Sequence, residues 1–231
     1  MLSLKILLRA LRAGELKTIF ISLCLSVAVV AAVSIFAERI EKAIVNESKE
    51  LLGSDFIVKS SKPIPQVWIE YAVNRNIDVS RTLSFASVVF FNENMHLAYI
   101  KAVESNYPLR GSILTSQLPF TYDVKQMEEF TSGPKVGEIW VESRLLPILD
   151  VEIGSQIDIG ESSLTITKIL IEEPEGPSFS ILGSRILMNF ADVESTNVVQ
   201  PGSRVTHNLL VASSKESCLL YTSDAADDTR S

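Results

Sequence analysis

Two histidines, two cysteines and one dense run of carboxylates are the places where this 231-residue sequence could hold catalytic or metal chemistry. His96 and His207 could ligate a metal or carry a proton, but neither sits in a cluster with metal-ligand spacing. Glu172-Glu173-Pro174-Glu175-Gly176-Pro177 could supply paired carboxylates for acid–base work, yet its Pro and Gly read as a solvated loop. Neither a Gly-x-Ser-x-Gly elbow nor a phosphate-cradling P-loop occurs. Cys24 lies inside an apolar run and Cys218 near the end, so no disulfide framework is expected. The expectation is a chain with no catalytic, cofactor-binding or metal-binding residues of its own. Binding or movement is what remains.

The elements that would position such work begin with an apolar segment. From Thr18 to Ala37 there is no charge, which matches the ~20 helical residues needed to cross a bilayer. Ser22, Ser26, Ala28, Ala31, Ala32 and Ser34 give this helix a small-residue surface of the kind that lets other helices approach. A cleaved signal peptide is the rival reading, with Val30-Ala31-Ala32 as its processing site; the length of the run favours a retained span. The first 17 residues carry a net +3, which leaves -10 for the rest of a chain whose total is -7. The positive-inside rule then predicts a cytoplasmic N-terminus with the acidic body outside. An acidic body also argues against nucleic acid as a partner. Ahead of the span, Leu4, Leu7, Leu8 and Leu11 share one helical face opposite Lys5, Arg9 and Arg12, as in an amphipathic helix at the inner membrane interface.

Beyond the span the helical pattern continues. Ile40, Ile44, Ser48 and Leu51 hold one face as far as Gly53, a C-terminal stop, and predict a stalk over 38–53. A surface helix packed on its own domain is the other reading of that face. A strand is expected at 55–60, a short helix opened by Pro65 at 66–74, and a β-hairpin from 81–91 and 96–103 across Asn92-Glu93-Asn94. The Pro-, Ser- and Thr-rich stretch 106–134 reads as irregular and holds an expected subdomain boundary. After it come a strand at 138–141, a brief helix to Leu149, paired strands at 156–159 and 164–171, and strands at 185–189 and 204–212. Pro201-Gly202 has the sequence of a type II turn. The fold class is α+β, with a membrane helix and stalk leading to an outer domain over 54–212.

Several stretches carry a family resemblance. "LSLKILLRALRAGEL", "ELLGSDFIVKSSKPIP", "VESNYPLRGSI", "GEIWVESRLLPILDVEIGSQIDIG" and "VQPGSRVTHNLLVA" together resemble YbbP-like permeases of the MacB/FtsX/LolC superfamily of ABC transporters. Tyr107-Pro108-Leu109-Arg110-Gly111 is the most telling element. Pro147 departs from the family pattern and implies a shorter helix there. The resemblance implies a MacB-like periplasmic domain of two subdomains between the first span and further spans, in the bacterial inner membrane. It implies a separate ABC-type ATPase as partner, with ATP-driven movement passed through the stalk residues Ile40, Ile44 and Leu51. For the YbbP-like branch it further implies a periplasmic esterase partner and hydrophobic cargo, with a second permease copy or further spans completing the assembly. The ending "SCLLYTSDAADDTRS" over 217–231 resembles translated sequencing adapter and is expected to be non-native, a natural tail being the alternative.

Three functions are thus in competition. The first is the N-terminal part of a mechanotransmitting ABC permease. The second is a single-pass anchored binding or sensor module. The third is an anchored hydrolase, for which a nucleophile–base pair is missing.

Overall fold

Thirty-eight consecutive residues form the first element, α1 (Glu15–Leu52), equivalent to about 57 Å of helix at ~1.5 Å per residue. The computed structural model describes residues 15–121, 123–175, 183–200 and 202–213, and along α1 it describes the side chains of 20–40. The expected amphipathic segment with Lys5, Arg9 and Arg12, and the tail 217–231, lie outside the described residues. The chain divides into two units, Met1–Glu47 and Ser48–Ser231.

In the first unit, Phe20–Ile40 is long and apolar enough to cross a membrane, with a mean hydropathy of 2.6 and none of it buried. Ser26 and Ser34 donate their hydroxyls to the carbonyls of Ser22 and Val30, one turn back. Both are satisfied within the helix, so neither requires a neighbouring helix in an apolar medium. Cys24 is exposed on the same segment.

The second unit is built on β-strands. They are β1 (Phe56–Ser60), β2 (Asp78–Phe91), β3 (Asn94–Val103), β4 (Ile113–Ser116), β5 (Met127–Phe130), β6 (Glu138–Glu142), β7 (Gln156–Ile159), β8 (Ser162–Glu172), β9 (Ser184–Asn189) and β10 (Val205–Ala212). Three short helices accompany them: α2 (Gln66–Val73), α3 (Leu145–Leu149) and α4 (Val193–Thr196). Hydrogen-bonded neighbours run from β2 through β3, β9, β6, β8 and β7 back to β2, so these strands close on themselves as a small barrel. The length of β2 makes closure possible. Its first part, Asp78–Phe85, pairs with β10, and Val89 and Phe90 pair with β7. β10 and β1 extend the sheet at one side; β4 and β5 extend it from β8.

Alternation along the strands separates two apolar clusters. Val89, Ala98, Ile100, Ile139, Val141, Ile157, Ile166, Ile186 and Met188 belong to the inner one. Val103, Tyr107, Trp140, Leu170 and Leu187 belong to a second on the opposite face. On β8 the alternation would fail without a correction at Thr167. There the register against β6 shifts between Ile139 and Trp140, so one extra residue lets both Ile166 and Ile169 point inward. Leu145, Leu146 and Leu149 of α3 join the inner cluster, and Asn94 at the hairpin tip donates to the Leu149 carbonyl at 3.0 Å. α3 therefore packs at the hairpin end of the barrel.

Most of the expected elements are in place. The hairpin turns at Asn92, which takes the left-handed conformation its side chain tolerates. Ser203 donates to the Gln200 carbonyl across the expected Pro-Gly turn, with Gly202 at φ +95°. Two expectations need correction. The stretch 106–134 is not wholly irregular, because β4 and β5 pair within it. The expected subdomain boundary within that stretch is crossed by one continuous sheet. α3 ends at Leu149 as expected, with Asp150 capping it in the left-handed region, and the Gly154 N–H donates to the Ile166 carbonyl. Pro147 sits within the first turn of this five-residue helix, where a missing N–H costs no helical bond.

Candidate coupling site

A helix ending in water leaves its last carbonyls to solvent, but the last residues of α1 belong to the second unit, and a loop of that same unit meets the glycine that follows them. Gly53 follows Leu52 with φ +65°, and its carbonyl accepts both the Leu109 and the Arg110 N–H at 2.9 Å. Glycine is required twice over at this position. Its backbone is left-handed, and a Cβ would lie 2.7 Å from the Pro174 Cβ. Two of the residues that carry the family resemblance, Leu109 and Arg110, thus supply the donors of a clasp. Pro108 stands beside the same glycine, and Gly111 turns the chain away at φ +73°.

Side chains reinforce the clasp on both flanks. On one, Arg110 Nη2 donates to the Ser213 carbonyl at 3.0 Å and reaches Asp55 Oδ2 at 3.3 Å; Asp55 Oδ2 also accepts the Ser213 N–H at 2.9 Å. The first residues after the helix are thereby tied to the end of β10. On the other, Glu104 accepts both the backbone N–H and the Nε–H of Arg81, and Asn106 donates to the Val79 carbonyl. These bonds fix the start of the loop to β2.

Beneath it lies a buried charge cluster that sequence reasoning missed. The fully buried Tyr107 hydroxyl donates to the Pro174 carbonyl at 2.9 Å and accepts from Lys101 Nζ at 2.7 Å. Lys101 Nζ lies 2.6 Å from Glu175 and 3.3 Å from Glu173, and Glu173 in turn faces Arg185 at 3.7 Å. Burial, the largest influence, works against a charged Lys101. The opposing pull of Glu173, Tyr107 and Glu175 outweighs it and holds the lysine above its ordinary pKa. Burial pushes the Tyr107 phenol up, Lys101 draws it down, and the two glutamates leave it above its usual range. Within the stretch expected as a solvated loop, Glu173 and Pro174 are buried because a lysine from β3 neutralises the carboxylate side of the turn. One signal could have revealed it. Lys101 is the lone charge in the apolar run Leu97–Val103.

The remaining expected residues are placed as follows. Ile40 is exposed on α1; Ile44 and Leu51 lie on the same helix, with side chains outside the described residues. His96 lies 3.4 Å from the Ser184 hydroxyl, and His207 sits within β10 between Leu83 and Ser60. Among the described residues no group of three or more His, Cys, Asp or Glu side chains could hold a metal ion. The arrangement combines a helix end, a backbone clasp and a charge cluster beneath the clasp.

No family model matches the chain. Over 199 residues it is 34% identical to the uncharacterized ABC transporter permease YbbP of Escherichia coli (strain K12), which covers 86% of this chain and 23% of that relative's length. The chain therefore spans about a quarter of the curated relative it matches. Among solved structures it is similar to the periplasmic region of MacB from Actinobacillus actinomycetemcomitans (TM-score 0.44, 13% identity, 78% of this chain and 85% of that one). It is also similar to the extracellular domain of the noncanonic ABC-type transporter YknZ from Gram-positive bacteria (TM-score 0.42, 13% identity, 77% and 75%).

Proposed function

From its likeness to an ABC transporter permease along most of its length, we propose that this chain is the N-terminal part of such a permease, working by mechanotransmission. A separate ABC-type ATPase hydrolyses ATP in the cytoplasm, and this chain performs no catalysis and carries no cofactor. The N-terminus is cytoplasmic, Phe20–Ile40 crosses the bacterial inner membrane, and the second unit lies outside. Further spans or a second permease copy complete the assembly, and hydrophobic or lipid-like molecules are its cargo, with an extracytoplasmic esterase as a candidate partner.

The observation that carries this reading is the unbroken α1 ending on a gripped carbonyl. A helix resists axial compression because each turn is hydrogen-bonded to the next, so displacement at its apolar part reaches Gly53 with little loss. Two N–H donors at Gly53 and the Arg110–Asp55 contact then pass that displacement to the sheet.

Inserting Gly-Gly after Ile44 in the full-length permease, assembled with its ATPase in a bilayer, tests the relay. ATP turnover is expected to persist. The nucleotide-dependent change in distance between spin labels at Ser60 and at a cytoplasmic position is expected to vanish. An unaltered change in distance would overturn the relay.

A further inference from the structure

An open cavity of about 690 Å³ lies beside α3 and shares no lining residue with the clasp. Pro119, Phe120, Leu146, Val151 and Ile153 supply its apolar wall. Its volume falls within the range typical of small-molecule sites. Among the described residues that line it, the charged ones are Asp150 and Glu152, with no Lys or Arg. Among the described residues neither carboxylate appears in an ion pair.

Phe120 sharpens the picture. It is 56% exposed and its backbone lies at φ +54°, a left-handed conformation unfavourable for a bulky residue. The strained turn is held by the Phe120 N–H donating to the Ser143 hydroxyl at 3.2 Å. An aromatic ring kept in solvent beside two carboxylates provides both parts of a cation site: negative charge and a π face.

We propose that this cavity binds a small amphipathic cation, an apolar body of several carbons ending in an amine or ammonium group. The apolar wall covers the body, while Asp150, Glu152 and the Phe120 ring receive the positive end. Charge complementarity selects this occupant, since an anionic amphiphile of equal size would meet two carboxylates and no cation. The site is separate from the clasp and does not depend on the coupling role, so either can fail alone.

The test uses the full chain in nanodiscs of zwitterionic lipid, with empty nanodiscs subtracted. Binding of 4-phenylbutylamine and of its neutral isostere 4-phenylbutanol is followed by saturation-transfer NMR. The amine is expected to bind roughly fivefold more tightly than the alcohol. The double substitution Asp150→Asn, Glu152→Gln should bring the two ligands level; Asn tolerates the left-handed backbone at 150, and circular dichroism checks the fold. Phe120→Asn, which suits the same backbone at 120, should weaken the amine. Equal binding of amine and alcohol to the unsubstituted chain, or an amine preference that survives the double substitution, overturns the proposal.

Discussion

The two ends of the barrel are built on opposite principles. At the clasp every close contact is spoken for: a glycine where nothing larger fits, a carbonyl with two donors, and a lysine enclosed by two glutamates and a tyrosine. At the α3 end the surface is open, its carboxylates face solvent, and a phenylalanine is held in a conformation that glycine or asparagine would adopt more easily. The ten residues of β3 separate them, about 30 Å of extended chain. The difference teaches which end tolerates change. The proposed joint has to be stiff to pass displacement, whereas the proposed ligand surface can carry strain and empty space.

The largest expected effect lies at the stiff end. Lys101→Met leaves Glu173 and Glu175 buried without their cation and should cost about 3–5 kcal/mol, measured by denaturant unfolding of the full chain in detergent. A loss under about 1 kcal/mol would mean that the cluster is dispensable. The same cluster sets an alkaline limit. Both Lys101 and Tyr107 hold their protons more tightly when folded, so the unfolded chain releases them first. Stability from this source is complete below about pH 10 and declines above it, and Tyr107→Phe should flatten that decline.

Next in size is Gly53→Ala. It combines a left-handed alanine with a clash against Pro174 and should lose about 2–3 kcal/mol in the same assay. At the other end the sign reverses. Phe120→Asn relieves the backbone and should raise stability by about 1 kcal/mol. If Gly53→Ala proved harmless and Phe120→Asn destabilising, the contrast between the ends would be lost.

The smallest effect concerns His207, which burial pushes below its ordinary value. Its folded pKa lies beneath the unfolded one, so the unfolded chain takes up the proton first as pH falls. Its contribution is present above about pH 6.5 and fades below that. His207→Gln should remove this part of the acid slope and leave neutral stability nearly unchanged.

Elements with a strong local signal were legible in the sequence. Alternation gave β2, β3, β6 and β8, Pro65 opened α2, and Gly53 ended α1 where the helical face ran out. β4 and β5 escaped notice because four-residue strands such as Ile113–Ser116 are too short to display a period. α4 and the turn of 3₁₀ helix before it, Phe190–Asp192, lack a helical stripe of useful length. The site was half legible. The resemblance singled out Tyr107–Gly111, but nothing local to Glu173 announces its burial. Its partner Lys101 comes from a distant strand, and Pro, Gly and charge together normally mark a solvated turn. The bulge at Thr167 was hidden because Leu164–Ile171 reads as one continuous strand whether or not a residue has been added.

The pairing of β1 with β10 has a consequence for how the protein is made. Phe56 meets Val211, so the earliest strand to leave the ribosome must wait for the latest before it gains a neighbour. Until then Phe56 and Val58 sit on an unzipped edge, the kind of segment that recruits strangers during synthesis. Moving the β1 segment alone to follow β10 through a short turn would convert this long wait into a hairpin, and should speed folding without altering the finished sheet.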